Sequence, residues 1–137
     1  MGAIMLREHE IQVRVRYEEA DPMGFLHHAR YFVYFEMGRT EMLRASGGCY
    51  RQMEAEGILI VVAKAECRFR KPARYDDVLT IRTIVDRVTS AKIEHRYEVL
   101  CEGQCLAEGR TTLAVIDREG RICRVPEWMH TPAESAE

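Results

Sequence analysis

Residues 17–31 of the chain, YEEADPMGFLHHARY, form a predicted turn that leads into a helix. Pro22 and Gly24 break regular structure, and helical spacing of apolar residues follows on the C-terminal side. Asp21 and His28 therefore flank the predicted helix start. Unpaired N–H groups and a partial positive charge at a helix start can hold a developing oxyanion while a nearby carboxylate works on the adjacent carbon. Asp, Pro and Gly at these positions also suit an ordinary type I turn, so a purely structural role stays open.

The overall composition is that of one globular domain. The chain has 137 residues, of which 47% are hydrophobic and 31% charged, and a chain of this size buries about two-thirds of its unfolded surface. A net charge of −2 gives no electrostatic basis for binding nucleic acid, and no apolar run approaches the length of a membrane span. We expect a single domain over residues 1–137, with its core at about 10–126 and a frayed tail at 131–137.

The cysteines favour a reducing compartment. There are five of them, which is an odd number, and no Cys-x-x-Cys pair occurs. No set of four ligands has the spacing of a zinc site, so no metal is expected. We interpret all five as reduced packing residues of a cytoplasmic protein. They are Cys49, Cys67, Cys101, Cys105 and Cys123.

The pattern of apolar residues predicts an α+β fold. A period of two indicates strands over residues 10–17, 58–71, 79–85, 92–101 and 105–116. Helical spacing indicates a long helix over 29–45 and a short one over 50–56. Strands that follow one another through short turns form antiparallel sheets. The sequence therefore predicts a curved antiparallel sheet of about five strands wrapped around one long helix.

Three details of this fold can be predicted from single residues. Gly38 lies in the middle of the long helix, where Gly costs up to about 1 kcal/mol relative to Ala, so we expect another group to approach closely there. Gly109 lies within a predicted strand and suggests a β-bulge. The apolar run 58–62 predicts a strand buried on both faces, partly by a second molecule. The apolar stripe of the long helix is expected to contain Tyr31, Phe35, Gly38, Met42 and Ala45.

Two blocks of the chain resemble the hotdog-fold acyl-CoA thioesterases, and most closely the 4-hydroxybenzoyl-CoA thioesterase group with its YbgC-like branch. The first block contains Asp21, Gly24, His28 and Tyr31, followed by Phe35-Glu36 and Arg39-Thr40-Glu41. The second block is FRKPARYDD at residues 69–77. The resemblance covers residues 10 to about 126, and the combination of the two blocks is more specific than either block alone.

This resemblance implies a hydrolase of acyl-CoA thioesters. Asp21 matches the catalytic carboxylate of the family, acting as nucleophile or as general base for water. His28 matches the histidine of the YbgC-like branch, whose backbone N–H donates to the thioester oxygen at the helix start. The family forms homodimers, often assembled into a homotetramer, with active sites between subunits. No metal or redox cofactor is implied.

The substrate-binding residues are predicted from the same comparison and from charge. The acyl pocket is expected to be lined by Tyr31, Phe35 and residues 60–63, which include Val61, together with their neighbours from the partner subunit. Gly24 of the motif is assigned to the substrate site. A basic group that can bind the phosphates of coenzyme A at the dimer rim consists of Arg68, Arg70, Lys71 and Arg74, although a solvated sheet face explains them equally well. The same basic rim would suit an acyl-carrier protein, whose recognition helix is acidic.

Two alternatives remain open at this stage. A hotdog hydratase or dehydratase has an Asp-x-x-x-x-His pattern, and here His27 is one residue too far from Asp21 and His28 two residues too far. A non-catalytic module that binds acyl-CoA or acyl carrier would keep the pocket and would not need Asp21. The residue types leave the acyl group open between short-chain, long-chain and aromatic.

Overall fold

The computed structural model describes residues 4–130. The predicted frayed tail at 131–137 lies outside the described residues. The strands are β1 (Glu8–Arg14), β2 (Leu59–Phe69), β3 (Val78–Val88), β4 (Ile93–Cys101), β5 (Gln104–Ile116) and β6 (Ile122–Cys123). The α-helices are α1 (Arg30–Ala45) and α2 (Tyr50–Ala55), and short 3₁₀ turns occur at Tyr17–Glu19 and Glu127–Met129.

The six strands form one antiparallel sheet in the order β1-β3-β4-β5-β2, and β6 pairs with the end of β5. Helix α1 packs against this sheet. The α+β architecture is therefore the predicted one, with six strands instead of about five. The additional strand, β6, has only two residues, which is too short for a period of two to reveal.

The largest error in the element bounds concerns β1. It ends at Arg14, although alternation of apolar residues continues to residue 17. The Val15 N–H still donates to Asp77 O, beside the start of β3, at 2.9 Å, and the 3₁₀ turn that begins at Tyr17 then ends the extended chain. Beyond the strand, the alternating pattern is right about Val15, which is buried, and wrong about Tyr17, which is 80% exposed.

The core lies between α1 and the sheet. The buried stripe of α1 includes Tyr31, Phe35, Gly38 and Met42, as predicted, and Ala45 is exposed instead. A Cβ atom at Gly38 would lie 2.5 Å from Thr83 Oγ1 of β3. The predicted close approach at Gly38 is therefore confirmed.

Gly109 does not form a bulge, so that prediction is wrong. It pairs in regular register with Cys67 on β2 and with Tyr97 on β4. The Phe35 ring lies against the Gly109 backbone and stacks on Tyr97, with ring centroids 4.4 Å apart. Glycine is needed at this position because an aromatic ring of α1 occupies the space that a side chain would fill.

The prediction that the run 58–62 is buried on both faces is wrong for a single chain. None of these residues is buried, and Val61 and Val62 are 36% and 51% exposed. Within residues 4–130, β2 is an edge strand whose strand neighbour is β5, and α1 packs mainly on β1 and β3, so that little of the chain covers the faces of β2. The expected covering by a second molecule remains a prediction.

The described residues contain no helix that is both long and apolar enough to span a membrane. They also contain no group of three or more acidic, His or Cys side chains arranged to hold a metal ion. All five cysteines are free thiols, and burial raises the pKa of Cys67 to about 11. Cys49 is exposed, so the packing role predicted for all five does not extend to it.

Candidate active site

Asp21 is held in a tight turn by its own neighbours. Its Oδ1 accepts hydrogen bonds from the backbone N–H groups of Met23, at 2.9 Å, and Phe25, at 3.1 Å. Its own N–H donates to Phe25 O at 2.7 Å, and Gly24 N–H donates to Asp21 O at 2.9 Å. No hydrogen bond within residues 4–130 uses Oδ2. One carboxylate oxygen is therefore fixed while the other is available.

Gly24 has a structural role in this turn. Its φ of +83° lies in the left-handed region, which glycine adopts without strain. Its N–H is already donated to Asp21, and no atom lies within 4 Å of the position where a Cβ would stand. Gly24 shapes the loop that presents Asp21, and it is not among the residues that line the cleft described below.

The two sequence blocks of the resemblance are neighbours in space. Leu26 N–H donates to Ala73 O at 2.8 Å, and Tyr75 N–H donates to Gly24 O at 3.2 Å. The Arg74 guanidinium carbon lies 4.9 Å from the centroid of the Phe25 ring, within the range of a cation–π contact. The second block therefore supports the loop that carries Asp21.

A cleft of about 280 Å³ opens beside this loop. Its lining residues are Asp21, Phe25, Leu26, His28, Tyr31, Phe69, Arg70, Lys71 and Pro72. Five of the predicted site residues thus meet in one place. Arg74 reaches the cleft only through its contact with Phe25, and Gly24 and Val61 do not line it.

His28 lies in the turn before α1 and is exposed. The helix begins at Arg30, one residue later than predicted, and its N-cap residue, Ala29, provides no side-chain cap. The rings of His27 and His28 stack with centroids 4.2 Å apart. The His28 backbone N–H has no acceptor among residues 4–130. A free donor therefore lies on a cleft-lining residue at the start of the helix, as an oxyanion site requires.

Tyr31 and Phe69 form the apolar wall of the cleft. Tyr31 is buried, and its ring meets that of Phe69 edge to face at a centroid distance of 5.0 Å. Burial raises the pKa of the Tyr31 phenol, and the neighbouring backbone of Ala73 partly opposes this effect. Tyr31 is therefore a neutral group that belongs both to the core and to the cleft.

Three members of the predicted basic group, Arg70, Lys71 and Arg74, lie at the rim of the cleft, and Arg68 does not line it. Arg70 forms an exposed ion pair with Glu108 at 3.2 Å, and exposed ion pairs of this kind contribute only about 0–1 kcal/mol. Lys71 and Arg74 are exposed. These side chains can turn toward a phosphate at little energetic cost.

Val61 lies far from the cleft of its own chain. It precedes Phe69 by eight residues on β2, which corresponds to about 26 Å at about 3.3 Å per residue. The structure of one chain therefore does not bring Val61 to the other predicted site residues.

Sequence reasoning missed a buried carboxylate two residues before Asp21. Glu19 is 3% exposed, and its Oε1 accepts hydrogen bonds from Tyr34 OH, at 2.7 Å, and from Arg16 N–H, at 2.9 Å. Burial tends to raise the pKa of Glu19, but these bonds and the Arg16 side chain outweigh it and the net shift is downward. Local sequence patterns do not predict a hydrogen bond between residues that are 15 positions apart.

Sequence reasoning also missed a polar layer inside the core. The buried Arg39 donates to Tyr97 OH at 3.5 Å, and Tyr97 OH is 2.7 Å from Thr111 Oγ1. His95 is buried beside them with neither ring nitrogen bonded, and burial together with the charge of Arg39 lowers its pKa to about 3. This layer lies between α1 and strands β4 and β5, and it includes none of the predicted site residues.

The chain is similar to a known family and to several known proteins. Residues 15–131 match the model of the thioesterase-like superfamily. A putative esterase of Aquifex aeolicus is 32% identical over 114 residues, covering 83% of this chain and 88% of that protein. The acyl-CoA thioester hydrolase YbgC of Escherichia coli O157:H7 is 32% identical over 106 residues, covering 77% and 79% of the two chains.

Solved structures of thioesterases are also similar to this chain. A probable thioesterase from Bartonella henselae superimposes with a TM-score of 0.83 at 33% identity, covering 87% of this chain and 99% of that one. A DHNA-CoA thioesterase from Staphylococcus aureus also gives a TM-score of 0.83, at 26% identity, covering 85% of this chain and 80% of that one. The predicted hotdog fold and the predicted enzyme class, thioester hydrolase, are confirmed. The chain belongs to the thioesterase-like superfamily.

Proposed function

We propose that this protein hydrolyses acyl-CoA thioesters to a free acid and coenzyme A, with Asp21 as the working carboxylate. The observation that carries this proposal is that Asp21, whose Oδ2 is unbonded among the described residues, and His28, whose backbone N–H has no acceptor among them, line the same cleft. The E. coli relative, named an acyl-CoA thioester hydrolase, supports the choice of substrate class.

Asp21 can act in two ways. As a nucleophile, Oδ2 attacks the thioester carbonyl, the C–S bond breaks, and coenzyme A leaves as the thiolate; water then hydrolyses the mixed anhydride. As a general base, Oδ2 takes a proton from water, whose oxygen attacks the same carbonyl; the C–S bond then breaks, and coenzyme A leaves as the thiolate and the acyl group as the free acid. Both routes place negative charge on the former carbonyl oxygen, and both use an oxygen that the turn leaves free. Neither route requires a metal or a redox cofactor.

The start of α1 is the proposed oxyanion site. The His28 N–H donates to the carbonyl oxygen as it becomes negative, and the partial positive charge of the helix start adds to this interaction. Loss of one oxyanion donor typically costs about 10²–10³ in rate. The His28 side chain is exposed, so its backbone, and not its imidazole, has the main role in this proposal.

The open edge of β2 supports a homodimer. Two copies of β2 that pair antiparallel about their midpoint would continue the sheet and set Val61 opposite Cys67 of the partner subunit, two residues from the Phe69 side of that subunit's cleft. This arrangement would cover the exposed Val61 and Val62 and complete the acyl pocket with the partner's β2. Further association of dimers gives the homotetramer that the family resemblance implies. Light scattering on the purified protein tests the assembly.

Arg70, Lys71 and Arg74 are the proposed contacts for the phosphates of coenzyme A, since Arg70 and Lys71 line the cleft and Arg74 packs on Phe25 of its wall. An acyl-carrier protein is the alternative donor of the acyl group. It would be recognised by the same basic rim. Turnover of the carrier-linked substrate would then be more sensitive to salt than turnover of the acyl-CoA. The proposed location is the cytoplasm, in keeping with five free thiols.

The test is release of free thiol from a panel of short-chain, long-chain and aromatic acyl-CoAs. The proposal predicts saturable turnover of at least one class, and a loss of two or more orders of magnitude for Asp21→Asn. Crotonyl-CoA that is consumed without release of thiol would instead indicate a hydratase. Binding of acyl-CoA by wild type and Asp21→Asn with equal affinity, and no turnover by either, would indicate a binding module.

A further inference from the structure

Glu19 is a buried carboxylate that the proposed chemistry does not use. An ionised side chain is expensive to bury unless it is well bonded, and Glu19 meets this requirement with three hydrogen bonds. Its Oε1 accepts from Tyr34 OH and from Arg16 N–H, and its Oε2 accepts from the Arg16 guanidinium at 3.3 Å. Such an arrangement is strongly directional because both oxygens are fixed.

The backbone of Glu19 holds the other side of the loop. Its carbonyl accepts from His27 N–H at 2.9 Å, directly before His28. Ala20 and Leu26 form the next bridge, and Asp21 N–H donates to Phe25 O at 2.7 Å. Residues 19–27 therefore form a small closed loop, in which Asp21 lies two residues after Glu19 and His28 follows the opposite end.

Tyr34 connects this loop to α1. It lies at the fifth position of the helix, is fully buried, and points its hydroxyl at Glu19 at 2.7 Å. The bond is charge-assisted, a kind that is roughly twice as strong as a neutral one. It therefore joins the carboxylate loop to the helix whose start is the proposed oxyanion site.

We propose that Glu19, held by Tyr34, is a positioning residue for the reaction, because it fixes Asp21 relative to the His28 N–H at the start of α1. This inference rests on the proposed thioester hydrolysis. A displacement of about 1 Å between reacting groups can cost about 10² in rate, so the contact affects the chemical step without touching the substrate. Substrate affinity depends on the wall and rim of the cleft and stays nearly unchanged.

Two variants test the proposal. Tyr34→Phe removes only the hydroxyl and is expected to lower kcat about tenfold with KM changed less than twofold. Glu19→Leu removes both the bond to the helix and the bonds to Arg16, and kcat is expected to fall by about 10² at similar KM. Glu19→Gln keeps an oxygen that can accept from Tyr34 OH and from Arg16 N–H, and it is expected to retain kcat within about threefold of wild type.

A matched control is available in the same core. Tyr97 is another fully buried tyrosine, and its hydroxyl is also bonded at 2.7 Å, to Thr111, away from the loop. Tyr97→Phe removes the same chemical group and is expected to leave kcat unchanged. Circular dichroism and thermal unfolding of every variant show which of them is folded at the assay temperature.

The outcomes separate this inference from the proposed function. Wild type without thioesterase activity, or an Asp21→Asn variant as active as wild type, contradicts the proposed function. The role of Glu19 is overturned by a different result. In that case wild type is active and Asp21→Asn is inactive, but Tyr34→Phe has the same kcat as Tyr97→Phe. A loss that is entirely in KM also overturns it. Tyr34→Phe keeps the test decisive if Glu19→Leu does not fold.

Discussion

The close contact between α1 and β3 at Gly38 predicts how a substitution at this position changes the free energy of unfolding. A Cβ atom at Gly38 would lie 2.5 Å from Thr83 Oγ1 and 3.2 Å from Ile81 Cγ2. In an exposed helix interior, replacing Gly by Ala stabilises by about 1 kcal/mol. Here the overpacking costs about 1–3 kcal/mol. We therefore expect Gly38→Ala to lower the free energy of unfolding by up to about 2 kcal/mol instead of raising it.

Thr83→Ala should reverse the sign of this effect. The Thr83 hydroxyl is buried without a hydrogen-bond partner among the described residues, so its removal sacrifices no bond. With Oγ1 absent, the nearest remaining atom to the new methyl group is Ile81 Cγ2, and the helix-propensity gain of about 1 kcal/mol can be realised. The coupling between the two substitutions is thus expected to be about 1–3 kcal/mol.

Urea unfolding of the wild type, the two single variants and the double variant measures this coupling directly. All four are compared at one protein concentration, because an oligomer's stability depends on concentration. A coupling of about 2 kcal/mol is well resolved by this method. Equal effects of Gly38→Ala in the presence and absence of Thr83→Ala would refute the reasoning, and so would stabilisation by Gly38→Ala alone.

Three further predictions follow from buried groups. Gly109→Ala pushes a methyl group into the Phe35 ring and should lower the free energy of unfolding by about 1–3 kcal/mol in urea; an unchanged midpoint would contradict this packing. Burial lowers the pKa of His95 to about 3, so below pH 6.5 the unfolded chain binds a proton that the folded chain refuses. Stability should fall by about 1.4 kcal/mol per pH unit between pH 6.5 and 3 from this group, and His95→Leu should remove that part of the slope. Because its thiol pKa is raised to about 11, Cys67 should react with a thiol reagent at pH 8 much more slowly than the exposed Cys49, and equal rates would argue against this burial.

The sequence predicts those parts of the fold that local periodicity encodes. Helix α1 and strands β3 to β5 follow from apolar spacing, and the loop of Asp21 follows from Pro22 and Gly24. These features depend on side chains within a few residues of one another. The five cleft residues could also be predicted from the sequence. They belong to the two motif blocks of the resemblance, and these blocks are neighbours in space.

The remaining features depend on long-range contacts that no local pattern records. Apolar spacing within a strand does not reveal whether that strand lies at the edge of the sheet. The run at 58–62 is therefore predicted to be buried, although its side chains are partly or fully exposed. A glycine in a strand fits a bulge or a close contact equally well, and at Gly109 the contact with Phe35 decides. The hydrogen bond between Glu19 and Tyr34 joins a turn to a helix, and no regular spacing of residues along the sequence predicts such a bond.

The most direct test of the central claim compares kcat/KM for thiol release by wild type, Asp21→Asn and Asp86→Asn, with the preferred acyl-CoA. Asp86 is the matched control because it is a partly exposed carboxylate on β3 that pairs with Arg110 and does not line the cleft. The account predicts a fall of at least about 10² for Asp21→Asn and less than about twofold for Asp86→Asn. If Asp21→Asn retained the activity of wild type, Asp21 would not be the working carboxylate and the proposed mechanism would be wrong.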